Sequence, residues 1–273
     1  MTAMTASETT RRDWRDIAYR IVAVLAVLLA LLLFGSLFAL LSPWGGPGGE
    51  PEAANPEIHR WHSSQWGSLM AILMSGSLLA SLRRPRENPV LVQFVVVALL
   101  IFFVVGLVVE GFSPDMILFP VIAGLLAATY PNRSALTNFA PAGSMSIPLM
   151  ALTLVAAVAL APNFFQSVQL QMGHVAEHAE LGHWLGSATL NLWLVLGGAL
   201  AATRRGGWRA MGTIVGIAFL YLGVAALSIP AHDGSWGTMG GIISALGGLA
   251  FIGTTVYEAR ASDAEQVSTP AVA

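Results

Sequence analysis

Long uninterrupted apolar runs alternate with short polar segments along this chain. Eight such stretches can be marked, at about 18–42, 66–82, 89–110, 115–130, 147–165, 184–202, 210–229 and 236–257. Crossing a bilayer as an α-helix takes about 20 apolar residues, within a range of about 17–25. The pattern therefore predicts an all-α integral membrane protein with an eight-helix transmembrane domain over 18–257. The fourth stretch is the shortest and contains Pro120, so a kinked span or a re-entrant segment is expected there. The first is too long for the apolar core of a signal peptide, and no small-x-small cleavage site follows it. The flanking segments, 1–17 and 258–273, are polar and rich in Thr, Ser and Ala, which reads as two disordered cytoplasmic tails.

Composition supports the membrane reading. Apolar residues make up 55% of the 273 and charged residues only 10%, against about 25% charged in a soluble domain. Cysteine is absent, which excludes disulfides, thiolate metal sites and cysteine nucleophiles. Lysine is absent too, so all 13 basic residues are arginine and lysine Schiff-base chemistry is excluded. An all-arginine chain rich in Ala, Gly and Leu points to a GC-rich bacterial or archaeal gene. No basic surface interleaved with aromatics suggests nucleic acid. The expected partners are the lipid bilayer and a membrane or extracytoplasmic protein.

Arginine placement orients the chain in a cytoplasmic membrane. With the N-terminus inside, Arg11, Arg12, Arg15, Arg20, Arg83, Arg84, Arg86, Arg133, Arg204, Arg205, Arg209 and Arg260 all fall inside. Arg60 alone falls outside. A weak internal repeat accompanies this arrangement. His62 to Gly67 and His232 to Gly237 both read H-x-x-x-W-G, and His183-Trp184-Leu185-Gly186 is a variant. Two four-helix halves, 18–130 and 147–257, would follow; ordinary Trp and Gly usage at a membrane interface is the alternative.

The candidate chemistry lies on the outer side, where all six histidines fall: His59, His62, His174, His178, His183 and His232. His62, His178, His183 and His232 sit at or before the outer ends of even-numbered helices and are the candidate metal ligands. His59, His174, Glu177 and Asp233 are candidate supports. Neutral imidazole is the commonest metal ligand, and a nearby carboxylate can accept its second N–H. If helical, 174–183 places His174 and His178 on one face, a bidentate spacing. Its H-x-x-E-H string also fits a zinc hydrolase with Glu177 as base. His62, Trp66, Met70 and Met74 step four residues at a time. Together with Met172 and Met239, these suit either copper ligation or plain packing.

Haem b, held by His183 and His232, is the alternative to copper or zinc. Eight spans in two halves with histidines at the outer ends of even helices resemble the plan of haem A synthases. The departures are a fourth stretch without histidine and outer loops without cysteine. Copper or haem handling, respiratory-enzyme assembly and membrane redox chemistry all fit such a site. Two other functions fit the chain. A small-molecule transporter would turn Gln93, Ser75, Thr153 and Asn191 toward a midplane cavity. A structural or regulatory subunit would use the outer histidines to sense pH. Glu110 and Asp115 are the only Asp, Glu, Arg or His within stretches two to eight, both at the outer edge, which disfavours ion-coupled transport.

Overall fold

Every regular element of the computed structural model is helical among the residues it describes, 6–45, 59–174 and 176–268. Seven of the described helices are long and apolar enough to cross a bilayer. They are α1 (Trp14–Leu33), α2 (Arg60–Leu82), α3 (Pro89–Val109), α5 (Ile147–Met172), α6 (His183–Ala202), α7 (Trp208–Ser228) and α8 (Gly237–Ala264). Between α3 and α5 lies a shorter apolar helix, α4 (Pro114–Thr129). Pro120 stands in the first turn of its α-helical part, Leu118–Thr129. A proline costs no internal hydrogen bond there.

The outside of the bundle is as apolar as its core. Leu33, Ile147, Val158 and Leu246 are all more than 60% exposed. Such a surface is stable only where hydrocarbon replaces water, and the chain is a multi-pass membrane protein. The expected tails are helical where described. One helix begins at Ala6 and runs into α1, and another continues from α8 to Ser268. Once a span has nucleated a helix, each added residue costs little. An ion pair between Arg209 and Asp263 at 2.6 Å also anchors the second extension.

Antiparallel packing sorts the helix ends into two groups. α2 and α6 begin at a histidine end and finish at an arginine end, and both lie deep in the bundle. At the arginine end, Arg205 is buried and donates from Nη1 to Gln93 Oε1 at 2.7 Å and from Nη2 to the Ala135 carbonyl at 2.6 Å. Gln93 Nε2 donates to the Leu136 carbonyl at 2.9 Å. Two side chains thus clip the 133–138 segment to α3 and to the connection between α6 and α7. Arg205→Met leaves an amide and a carbonyl without their charged donor and should cost about 1.5–3 kcal/mol. Arg205→Lys should recover only part of that, because an ammonium cannot span both acceptors as a planar fork does. Thermal unfolding in detergent measures the order; equal stability of the Met variant and the parent would refute it.

Two glycines of α8 pack against α7. Gly241 faces Gly223 of α7, and Gly248 faces Gly216. A Cβ at 248 would lie 2.5 Å from the Gly216 carbonyl oxygen, and one at 223 would lie 2.7 Å from the Gly241 oxygen. Backbones can approach this closely only without side chains between them.

Candidate metal centre

Four histidines converge at the histidine end, each delivered by a helix terminus. His59 immediately precedes α2, and His62 lies in its first turn. His183 opens α6 after Gly182, whose φ of +67° suits glycine. His178 belongs to a short helix, Ala176–Glu180. Packing of α2 against α6 brings these ends together. Gln171, near the end of α5, then fixes the short helix in place. Its Nε2 donates to the Ala179 carbonyl at 2.7 Å, and its Oε1 accepts from the Leu185 N–H at 3.1 Å. One buried amide therefore joins the segment carrying His178 to the first turn carrying His183.

Nδ1 of His59 lies 3.0 Å from Nδ1 of His183. Ring centroids are 4.6 Å apart for His59 and His178, 4.6 Å for His59 and His183, and 5.5 Å for His178 and His183. All three residues are buried, and each offers a ring nitrogen within 4.8 Å of the other two. Zinc–nitrogen bonds of about 2.0–2.1 Å in a tetrahedron put neighbouring nitrogens about 3.3 Å apart. The 3.0 Å contact is already near that edge, and small side-chain rotations close the rest. Three imidazoles in this arrangement could hold one metal ion.

His62 is the fourth ring. It stacks on His183 at 4.9 Å with an interplanar angle of 11°. Its Nδ1 lies 3.3 Å from Ser187 Oγ. The serine hydroxyl also lies 2.5 Å from Gln65 Oε1 and 3.1 Å from the His183 carbonyl oxygen, so it ties His62, Gln65 and His183 together. The His62 Nε2 is buried and has no hydrogen-bond partner among the described residues. Trp184 packs on the cluster, edge-on to His62 at 4.7 Å and stacked with His178 at 5.6 Å.

The grouping differs from the one expected. His59 belongs to the central trio rather than to a supporting shell. His232 is half-buried on the segment between α7 and α8, and Gly234 of that segment lies against His62 and Trp184. Asp233 beside it is exposed. Helix α5 ends at Met172, and His174 has a φ of +47° outside any helix. The bidentate face through His174 and His178 therefore does not form, and neither does the continuous helix that a zinc hydrolase motif needs. Glu177 lies in the short helix, with its side chain outside the described set. Met70 and Met74 pack in the hydrophobic core, whereas Met172 and Met239 are exposed. The cluster is thus built from nitrogen without thioether sulfur. Glu50, Glu52 and Glu57 lie outside the described residues.

A chamber of about 710 Å³ abuts the cluster, and both His62 and His183 line it. Its other walls are the aromatic rings Phe34, Trp66, Phe102 and Phe119, and its rim carries Glu110, Asp115, His174 and Glu180. Partial loss of water raises the Glu110 carboxyl above its ordinary range; Asp115 raises it further, and His174 opposes the shift. Gln93, Ser75, Thr153 and Asn191 do not line this chamber. Each hydrogen-bonds within the bundle instead: Gln93 to the 133–138 segment, Ser75 to the Met70 carbonyl, Thr153 to the Leu149 carbonyl and Asn191 to Asn163.

No family model, curated protein or solved structure matches the chain.

Proposed function

We propose that this multi-pass membrane protein holds one divalent transition-metal ion, zinc or copper, in an all-imidazole site of His59, His178 and His183. The single observation that carries this reading is the meeting of three buried ring nitrogens within 4.8 Å. Desolvated imidazoles from distant parts of a chain contribute little to stability as a bare cluster. A metal ion gives them a shared partner. Nitrogen-only ligation suits Zn(II) and Cu(II), while Cu(I) favours sulfur. Three protein ligands and one open position make a catalytic rather than a closed structural geometry. Haem b between His183 and His232 is less well supported, because the His183 ring already contacts His59, His62 and His178, which leaves little room beside it for a porphyrin plane. The transport reading loses support from the sealed state of Gln93, Ser75, Thr153 and Asn191.

The proposal places the histidine end on the outer face of the cytoplasmic membrane and both termini inside, from the arginine asymmetry. It counts α4 as an eighth, short span. It also pairs α2 with α6 as equivalent members of two halves, since both open beside the cluster with a His, a Trp and a Gly. Metal analysis of protein purified in detergent, followed by zinc and cobalt titration, provides the test. About one tightly held ion per chain is expected. Folded protein that takes up neither ion at micromolar free metal would end the proposal.

A further inference from the structure

The chamber beside the cluster matches neither a simple packing defect nor an ion channel. At about 710 Å³ it falls within the range of pockets that take organic ligands. Four aromatic rings form one side of it and contact each other in a closed circuit. Centroid distances are 5.9 Å for Phe34 and Trp66, 6.1 Å for Trp66 and Phe102, 4.3 Å for Phe102 and Phe119, and 6.4 Å for Phe119 and Phe34. Such a wall accepts a flat apolar body through dispersion and ring stacking. His183, one of the trio, lines the same chamber together with His62. An open coordination position facing the chamber would meet whatever end of the molecule points away from the rings.

The rim selects by charge. Glu110, Asp115 and Glu180 line the chamber beside His174, and no arginine among the described residues does. An anion approaching this mouth meets like charge, at least until it reaches the metal. A hydrated ion alone would gain nothing from the aromatic wall.

We propose that the chamber is the substrate pocket of the metal centre and takes an uncharged, ring-sized organic molecule bearing a hydroxyl or carbonyl oxygen. The inference rests on the metal reading only for the ligation of that oxygen. Seating of the ring and discrimination against anions rest on the chamber alone.

The test uses full-length protein in detergent, in cobalt-loaded and metal-free forms. The probes are 3-phenylpropanol and 3-phenylpropanoate, which share a phenyl body and differ at the oxygen end. Tryptophan fluorescence reports occupancy, with Trp66→Phe identifying the reporter, and the cobalt absorption bands report ligation. Saturable quenching by the alcohol and a change in the cobalt bands are expected. Phe102→Ala should weaken the alcohol at least five-fold. Glu110→Gln with Asp115→Asn should improve the carboxylate relative to the alcohol by at least five-fold. An alcohol that does not bind to cobalt-loaded protein, or a ratio unchanged by rim neutralisation, would overturn the inference. If cobalt itself fails to bind, quenching of Trp66 by the alcohol in metal-free protein still distinguishes a working pocket from a failed metal site.

Discussion

His183→Ala should weaken zinc or cobalt binding by more than ~100-fold, beyond the range usually seen when an outer partner of a ligand is removed. The His183 ring occupies the middle of the cluster. It lies 3.0 Å from His59 at the Nδ1 atoms, stacks on His62 and contacts His178. Its removal leaves two of the three ligands and opens the site to the chamber. His59→Ala and His178→Ala should have similar effects. Gln171→Ala is expected to fall in between, at ~10-fold, because it releases the short helix that positions His178 without removing a donor. His232→Ala separates this ligand set from one centred on the segment between α7 and α8, and should cost less than ~10-fold. Competition against a fluorescent chelator measures each constant. Circular dichroism confirms that the variants remain helical. Wild-type affinity in a folded His183→Ala protein would remove the trio from the mechanism.

The sequence revealed the elements better than their junctions. The apolar runs located the seven long spans, because a bilayer imposes a minimum length that few other constraints mimic. The histidines could be assigned to one end for the same reason: helix direction alternates with every crossing. Which rings would meet was not readable. His59 gained its central place because α2 packs beside α6, a tertiary fact with no local signature. His174 lost its expected place because the chain leaves helix at Gly173, where the four-residue spacing of His174 and His178 suggested one helical face. Positions 68–75 of α2 wind as a π-helix, so the four-residue stripe through His62, Met70 and Met74 does not mark one straight face. π segments often accompany functional sites, and no residue type in 68–75 announces this one. Gln171 and Ser187 were missed for another reason. Polar residues near a span end usually face water, and burial alone shows that these two hold the site. Ser187 did leave a signal, standing one helical turn after His183.

Gly248→Ala and Gly247→Ala should change stability in opposite directions, though the residues are neighbours on α8. A methyl at 247 meets nothing within 4 Å, so the variant gains helix propensity of up to about 1 kcal/mol. A methyl at 248 would lie 2.5 Å from the Gly216 oxygen and 2.6 Å from the Leu220 nitrogen. Both are backbone atoms and cannot rotate aside. α7 and α8 must separate along their length, and they form the most extensive helix pair in the molecule. Propensity and unfolded-state effects are nearly the same for the two variants, so their difference isolates the overpacking cost, about 1–3 kcal/mol. Gly216→Ala should behave like Gly248→Ala. The double variant should cost less than the sum, because the first methyl already opens the crossing that the second would strain. Thermal unfolding of the four proteins in one detergent decides the matter. A Gly248→Ala protein that melts at or above Gly247→Ala would mean that the two backbones do not meet as described. Metal affinity should stay close to wild type in all four, since Gly216 lies midway along α7, away from the histidine end.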